Sequence, residues 1–317
     1  MDLSKLSNEE LLKIAKINLE ARADSVLLAK KSQEQTSSYI KEDTLIKKNS
    51  SELIAPLPIK KIVSFSAGKD STAMVLKMIE NNIFFDELVF FDGGWEWEEI
   101  HKHIDKFEKY INKKITILKP EHDFYWWMYE KPCMIGLGKG FPRFNLRWCT
   151  GVKQDTLKKY FKKQGKYITY IGFTADEKYR IPIKPDPTKQ YPLIDLGIDE
   201  SQCLGICKQH GFDFGNLYKY MNSTSCWCCP LQPMRAVRAL YKYFPDKWKK
   251  LKEMQNKTKT SFKIGKNIQD GIYIDTLEKK FIKEIQEGQF EYKLTKIYKS
   301  TGNKKHGYKH KNKEIKQ

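Results

Sequence analysis

The residue types best suited to chemistry fall in one short segment, Ser-Phe-Ser-Ala-Gly-Lys-Asp-Ser, running from Ser64 to Ser71. An apolar run, IVSF, leads into it, and STAMVLKMI follows with apolar positions at helical spacing. The segment therefore reads as a strand end, a small-residue loop and a helix start. Small residues such as Ala67 and Gly68 let backbone N–H groups approach phosphate oxygens, and a helix N-terminus adds partial positive charge at the same point. Ser66 and Ser71 supply hydroxyls, Lys69 a counter-charge, and Asp70 a carboxylate suited to cap the helix or orient magnesium. The glycine spacing is not that of a Walker loop. A plain strand-to-helix turn, common in α/β proteins, is the alternative reading, set against the strand–loop–helix context that the segment occupies.

A second group of chemical residues is a cysteine cluster. Five of the seven cysteines lie between Cys203 and Cys229. Cys226 and Cys229 have C-x2-C spacing, which lets two thiolates meet one ion, while Cys203 and Cys207 stand one helical turn apart and share a face. The expectation is a four-thiolate set, Cys203, Cys207, Cys226 and Cys229, holding Zn²⁺ or an iron–sulfur cluster; spacing does not separate the two. Cys149 is the alternative fourth ligand or an independent sulfur-handling thiol. The competing explanation is burial of small residues in a helical lobe. Cys133 has no partner by spacing and is expected to be structural.

The elements that must position these residues alternate. After IVSF and its helix come ELVFFD, the amphipathic EEIHKHIDKFEKYI, then ITIL, and later YITYIGF after the helical KQDTLKKYFKK. At least four βα units predict an α/β fold built on a doubly wound parallel sheet, with a Cys-rich, mainly helical C-terminal lobe. Asp92, at the C-terminal end of ELVFFD, sits where such a sheet places a ribose or metal ligand, with a helix cap as the alternative. The expected divisions are a helical N-terminal arm over 1–55, a nucleotide-binding α/β domain over 56–195, the Cys-rich lobe over 196–256, and a basic, partly disordered C-terminal extension over 257–317. The last seventeen residues, with six lysines and one glutamate, read as a solvated tail.

Composition narrows the function classes. The chain has 317 residues, enough for one sizeable core. No stretch approaches the roughly 18 consecutive apolar residues of a membrane helix, and the N-terminus reads as an acid-capped helix rather than a signal peptide. A cytoplasmic protein without membrane partners is expected. The formal charge of +19 gives a long-range field favouring polyanions, so DNA or tRNA is an expected partner alongside ATP. Aromatic and basic residues interleave in DFYWWMYEK and LYKYFPDKWKK; core packing accounts for most such aromatics.

The SFSAGKDS segment resembles the pyrophosphate loop of the adenine nucleotide α-hydrolase superfamily, in its phosphoadenosine phosphosulfate (PAPS) reductase-like branch. VFFDGGWEWEE (Val89 to Glu99) is similar to that branch's Asp-Thr-Gly element, with Gly93 in place of threonine. RWCTGVK (Arg147 to Lys153) and GFTADEKYR (Gly172 to Arg180) resemble its Arg-x-Cys-Thr-x-x-Lys and Gly-x-x-x-x-Glu-x-x-Arg segments. SCWCCP resembles its Gly-Cys-x-x-Cys-Pro element, with Ser225 replacing the glycine. The likeness spans about Lys60 to Asp246. It implies a nucleotide site formed by Ser64, Ser66, Ala67, Gly68, Lys69, Asp70, Ser71, Asp92, Arg147, Lys153 and Arg180, with Lys69, Asp70 and Cys149 catalytic.

The intact Lys-Asp pair and the lack of any cysteine after Cys229 look like ATP-cleaving members such as the DNA phosphorothioation enzyme. The expected reaction uses ATP and Mg²⁺, releases pyrophosphate and adenylates an acceptor for sulfur transfer, with a cysteine desulfurase-like protein as sulfur donor. A sulfonucleotide reductase is the alternative enzyme. A non-catalytic nucleotide- and nucleic-acid-binding module with structural zinc is the alternative outside enzymes.

Overall fold

The computed structural model describes residues 59–134, 136–264 and 270–295, and one compact unit begins at Leu57. The expected N-terminal arm and the last seventeen residues lie outside the described residues.

The first strand, β1 (Lys60–Phe65), feeds helix α1 (Lys69–Glu80). There follow β2 (Glu87–Phe91), α2 (Glu98–Ile111), β3 (Ile115–Leu118), α3 (Phe124–Tyr129), α4 (Trp148–Lys162) and β4 (Tyr167–Ile171). The chain continues through β5 (Lys189–Gln190), α5 (Pro192–Asp195), α6 (Glu200–Gln209) and α7 (Leu217–Tyr220). It ends in α8 (Met234–Tyr243), α9 (Pro245–Asn256), α10 (Ile274–Gln286) and α11 (Phe290–Thr295). The expected α/β fold is present as a five-stranded sheet ordered β3-β2-β1-β4-β5, with every neighbouring pair parallel.

Continuous apolar runs explain this choice. Leu88, Val89, Phe90 and Phe91 are all buried, as strands covered on both faces require. Helix α2 buries Ile100, His103, Ile104 and Phe107 along one stripe and leaves its charges outside. It stops at Asn112, which takes the left-handed conformation (φ 48°) that asparagine tolerates.

The strand order reverses direction at β1, whose neighbours are β2 on one side and β4 on the other. Open parallel sheets form a crevice at the carboxyl ends of the strands beside such a switch point. Both the loop after β1 and Asp92 after β2 open into it.

Among the described residues after 256, α10 packs on α9, and α11 packs on α8. Ile274, Leu277, Phe281, Phe290 and Leu294 are buried there. Arg238 of α8 binds Glu284 of α10 through two hydrogen bonds of 2.8 Å, both residues being buried. The high lysine content of the segment concealed this apolar periodicity.

Candidate functional site

The loop after β1 turns sharply at Ala67, a fully buried residue with φ 56°. A non-glycine residue held there stores local strain, a feature concentrated where backbone must be aimed at a ligand. Helix α1 then starts at Gly68, which has no side chain of its own to cap the N-terminus. The loop is fixed from within: the Ser66 N–H donates to Ser71 Oγ at 3.2 Å, and the two hydroxyls are 2.9 Å apart. Gly172, just past β4, comes so close that a Cβ on it would stand 3.2 Å from Ser71 Cα. Ser64 lies inside β1, paired with Val89 and Ile171, so it shapes the strand rather than the loop.

Lys69 is buried, and its ammonium donates to Asp70 Oδ1 at 2.7 Å and to Glu200 Oε1 at 2.8 Å. Burial works against the charge, but hydrogen bonds to the two carboxylates more than offset it and hold the amine above the ordinary lysine range. Burial raises the Asp70 carboxyl, with Lys69 opposing. The Lys69 N–H donates to the Tyr218 hydroxyl at 2.8 Å, and that hydroxyl lies 3.1 Å from Thr224 Oγ1. A Cβ on Gly68 would stand 3.3 Å from Thr224 Oγ1 and 3.4 Å from the Tyr218 oxygen. Glycine thus leaves room for two hydroxyls at the helix start.

Across the crevice, Asp92 is buried, with Oδ1 accepting from the Gly94 N–H at 2.8 Å. Glu96 accepts from the Trp95 N–H at 2.9 Å. Burial, then the hydrogen bond and negative charge of Asp92, push the Glu96 carboxyl up to about 7. The Asp92 carboxylate thus favours the protonated form of Glu96. Trp97 Nε1 donates to the Ser225 carbonyl at 3.0 Å, and the Trp227 N–H donates to the Trp95 carbonyl at 3.1 Å. These bonds pin the C-x2-C segment beside the acid pair.

The four cysteines expected to converge are divided. Cys203 and Cys207 do share one buried face of α6, but that face packs on α1: the Cys207 thiol donates to the Lys69 carbonyl at 3.3 Å. Burial pushes the Cys207 thiol up to about 12 and raises that of Cys203 as well. Cys226 instead has Cys229 and Cys149 as electrostatic neighbours, together with Glu96 and Lys153. Burial raises Cys226 strongly, and raises Cys149 too, whose next influence is Cys229. Among the described residues no group of three or more His, Cys, Asp or Glu is arranged to hold a metal ion. The donor set as folded does not fit a four-thiolate centre. Cysteine spacing reports which face a thiol occupies, and tertiary packing decides what that face meets.

The expected cations separate similarly. Arg147, exposed at the start of α4, acts on Cys149. Lys153 is half-buried, 5.9 Å from the centre of the Phe91 ring, and acts on Cys226. Arg180 is exposed, pairs with Glu177 at 2.7 Å and lies 4.2 Å over the Phe173 ring. Cys133 donates to the Lys131 carbonyl at 3.3 Å within a short two-stranded turn. Sequence reasoning missed Glu96, Glu200, Tyr218 and Thr224. Glu200 and Tyr218 stand 131 and 149 residues from Lys69 along the chain, beyond any local pattern.

A helix N-terminus at the switch point of a parallel sheet is a setting suited to phosphate or a similar anion. Residues 60–180 match the phosphoadenosine phosphosulfate reductase domain family. Two uncharacterized proteins of Methanocaldococcus jannaschii are similar to the chain. One is 25% identical over 227 residues, covering 67% of this chain and 45% of its own length. The other is 30% identical over 201 residues, covering 58% of this chain and 46% of its own length. The chain spans about half the length of these curated relatives. Among solved structures, phosphoadenylyl-sulfate (PAPS) reductase from Candida auris in a phosphate complex aligns with a TM-score of 0.37 and 15% identity, over 50% of this chain and 76% of that one.

Proposed function

We propose that the protein is a PAPS reductase-like enzyme that cleaves ATP between its α- and β-phosphates and adenylates an acceptor for sulfur transfer. The observation that carries this reading is the loop itself: a strained helix start with Lys69 held charged and in place by Asp70 and Glu200. The backbone N–H groups and the Lys69 ammonium receive the departing pyrophosphate. Donors fixed before the reaction stabilise developing charge without reorganisation. Asp92 and Asp70 are the carboxylates that would hold Mg²⁺ brought with the nucleotide, which would supply charge neutralisation at the phosphates. Cys149, with Cys226 and Cys229 among its electrostatic neighbours, would receive sulfur as a persulfide from the desulfurase; the outer sulfur displaces AMP from the adenylated acceptor, and Cys226 or Cys229 releases the sulfurated acceptor by closing a disulfide with Cys149, which an added thiol reductant reopens. The charge of +19 supports a DNA or tRNA acceptor.

Incubation with ATP, Mg²⁺ and duplex DNA or tRNA, with a cysteine desulfurase as sulfur source, tests this reading. The expected result is acceptor-dependent pyrophosphate release, lost in Lys69→Ala. Sulfite release from PAPS without any ATP cleavage would replace it with sulfonucleotide reduction.

A further inference from the structure

Two loops rise from the end of α3. The first, residues 131–139, leaves through the Lys131 N–H, which donates to the Trp126 carbonyl at 2.9 Å, and returns through the Lys139 N–H, which donates to the Trp127 carbonyl at 3.0 Å. The second, residues 141–147, is anchored at both ends on the same floor. The Gly140 N–H donates to the Met128 carbonyl at 3.0 Å, and Trp148 donates its Nε1–H to the Gly140 carbonyl at 3.1 Å. The Trp148 ring stacks with that of Trp127, the centres 6.2 Å apart and the planes at 15°. The Lys131 and Lys139 ammonium groups stand 5.5 and 5.1 Å from the centre of the same Trp127 ring, so both are held at the base of the loops. From Trp126 to Lys153 the chain carries five cations, Lys131, Lys139, Arg143, Arg147 and Lys153, against a single acid, Glu130. Among the described residues none of the five takes part in an ion pair. The tips are apolar. Met134 and Leu137 are 106% and 75% exposed on the first loop. On the second, Arg143 and Leu146 close a tight turn through reciprocal backbone bonds of 3.2 and 3.1 Å, which holds Phe144 out in solvent at 80% exposure. Apolar groups so exposed, gathered on two loops, lose free energy in water and recover it on insertion into a partner.

We propose that loops 131–139 and 141–147 are the docking surface for an RNA with unpaired bases, Lys131 and Lys139 taking backbone phosphates and Phe144 stacking on an open base. The unpaired cations select a polyanion. The exposed ring selects among polyanions, because a paired helix offers side chains no open base face, whereas an RNA loop presents bases already splayed out. In duplex DNA the same contact must first unstack a base pair. The second loop ends at Trp148, the residue before Cys149, so the surface runs up to the thiol of the proposed transfer. The inference rests on the reading that the acceptor is a nucleic acid and narrows it to RNA.

The test uses the full chain and the fluorescence anisotropy of a labelled RNA hairpin with an unpaired loop. A fully paired RNA and a DNA duplex of the same length are compared with it, and vesicles of phosphatidylserine and phosphatidylcholine form a further arm. The hairpin is expected to bind about tenfold more tightly than either duplex, the gain from one stacked base. Phe144→Ser, a change at an exposed position that leaves folding intact, removes that gain and leaves duplex binding unchanged. Lys131→Gln combined with Lys139→Gln lowers the slope of log affinity against log salt by about 1.4, the share of two single-strand phosphate contacts. Equal binding of hairpin and duplexes, tighter binding of the DNA duplex, capture by vesicles in place of RNA, or hairpin binding unchanged in these variants overturns the proposal. Pyrophosphate release is followed in parallel. RNA-dependent release with hairpin binding unchanged in the variants keeps the proposed reaction and removes this surface; hairpin binding lost in the variants without any release keeps the surface and removes the reaction.

Discussion

The two sides of the crevice treat charge in opposite ways. On the loop side, Lys69 meets Asp70 and Glu200, Tyr218 caps the first helical N–H, and Cys203 and Cys207 pack as neutral thiols against α1. On the thiol side, Asp92 and burial raise the Glu96 carboxyl to about 7, and Cys226 is desolvated among other acidic groups. The first side is satisfied and rigid, suited to holding an anion in one place. The second is desolvated: burial holds the Cys226 and Cys149 thiols protonated, and Glu96 titrates near 7. A site that both positions and transfers gains from keeping these environments apart, because charge satisfaction that fixes one group would quench the other.

Breaking the satisfied side should have the largest effect. Lys69→Ala is expected to lower ATP cleavage by about 10²–10³-fold, the usual loss for a preorganised donor, while Cys226 and Cys229 keep their alkylation rates. Parallel pyrophosphate and alkylation assays check this, and equal loss in both would merge the two sides. Next, Gly172→Val places side-chain atoms against the Ser71 backbone. Overpacking at that contact should cost about 1–3 kcal/mol in denaturant unfolding and weaken nucleotide binding by about tenfold.

The labile side is sharpened by pH. Glu96 is protonated in the folded protein well above its unfolded value, so its stabilising contribution is complete below pH 4.5 and is lost as pH rises through about 7. Glu96→Gln should therefore flatten the fall in Tm between pH 5 and 8. His103 acts in the reverse sense. Burial, with Lys106 adding to it, pushes the imidazole down to about 4, while Thr72 Oγ1 lies 3.0 Å from its Nε2. The neutral ring costs nothing above pH 6.5 and destabilises progressively as pH falls towards 4. His103→Gln should remove that acid sensitivity, read by Tm at pH 5 against pH 7.5. The smallest effect belongs to Tyr218→Phe, which removes one hydroxyl from the loop and should cost about 1 kcal/mol, seen as a shift in the denaturation midpoint.

Much of the framework was legible from local pattern. The apolar runs of β1 and β2 and the stripe on α2 each report burial directly, so the alternation of strands and helices, and with it the parallel sheet, follows from residues close together in the chain. The packing of 257–295 was less legible, because charged residues outnumber the few apolar positions that bury. Tyr125 and Trp127 pack partly against the core and Phe124 fully within it, in agreement with the packing reading of that aromatic run.

The sequence by itself determined the small-residue loop at the head of a helix, the shared face of Cys203 and Cys207, and the C-x2-C spacing of Cys226 and Cys229. These are consequences of helical and turn geometry over a few residues. Only the tertiary structure decided what each feature faces: Glu200 and Tyr218 on Lys69, α1 against one cysteine pair, and Cys149 and Glu96 around the other. Short-range spacing fixes the direction of a side chain, but its partners are set by how distant helices pack, and no local pattern carries that information.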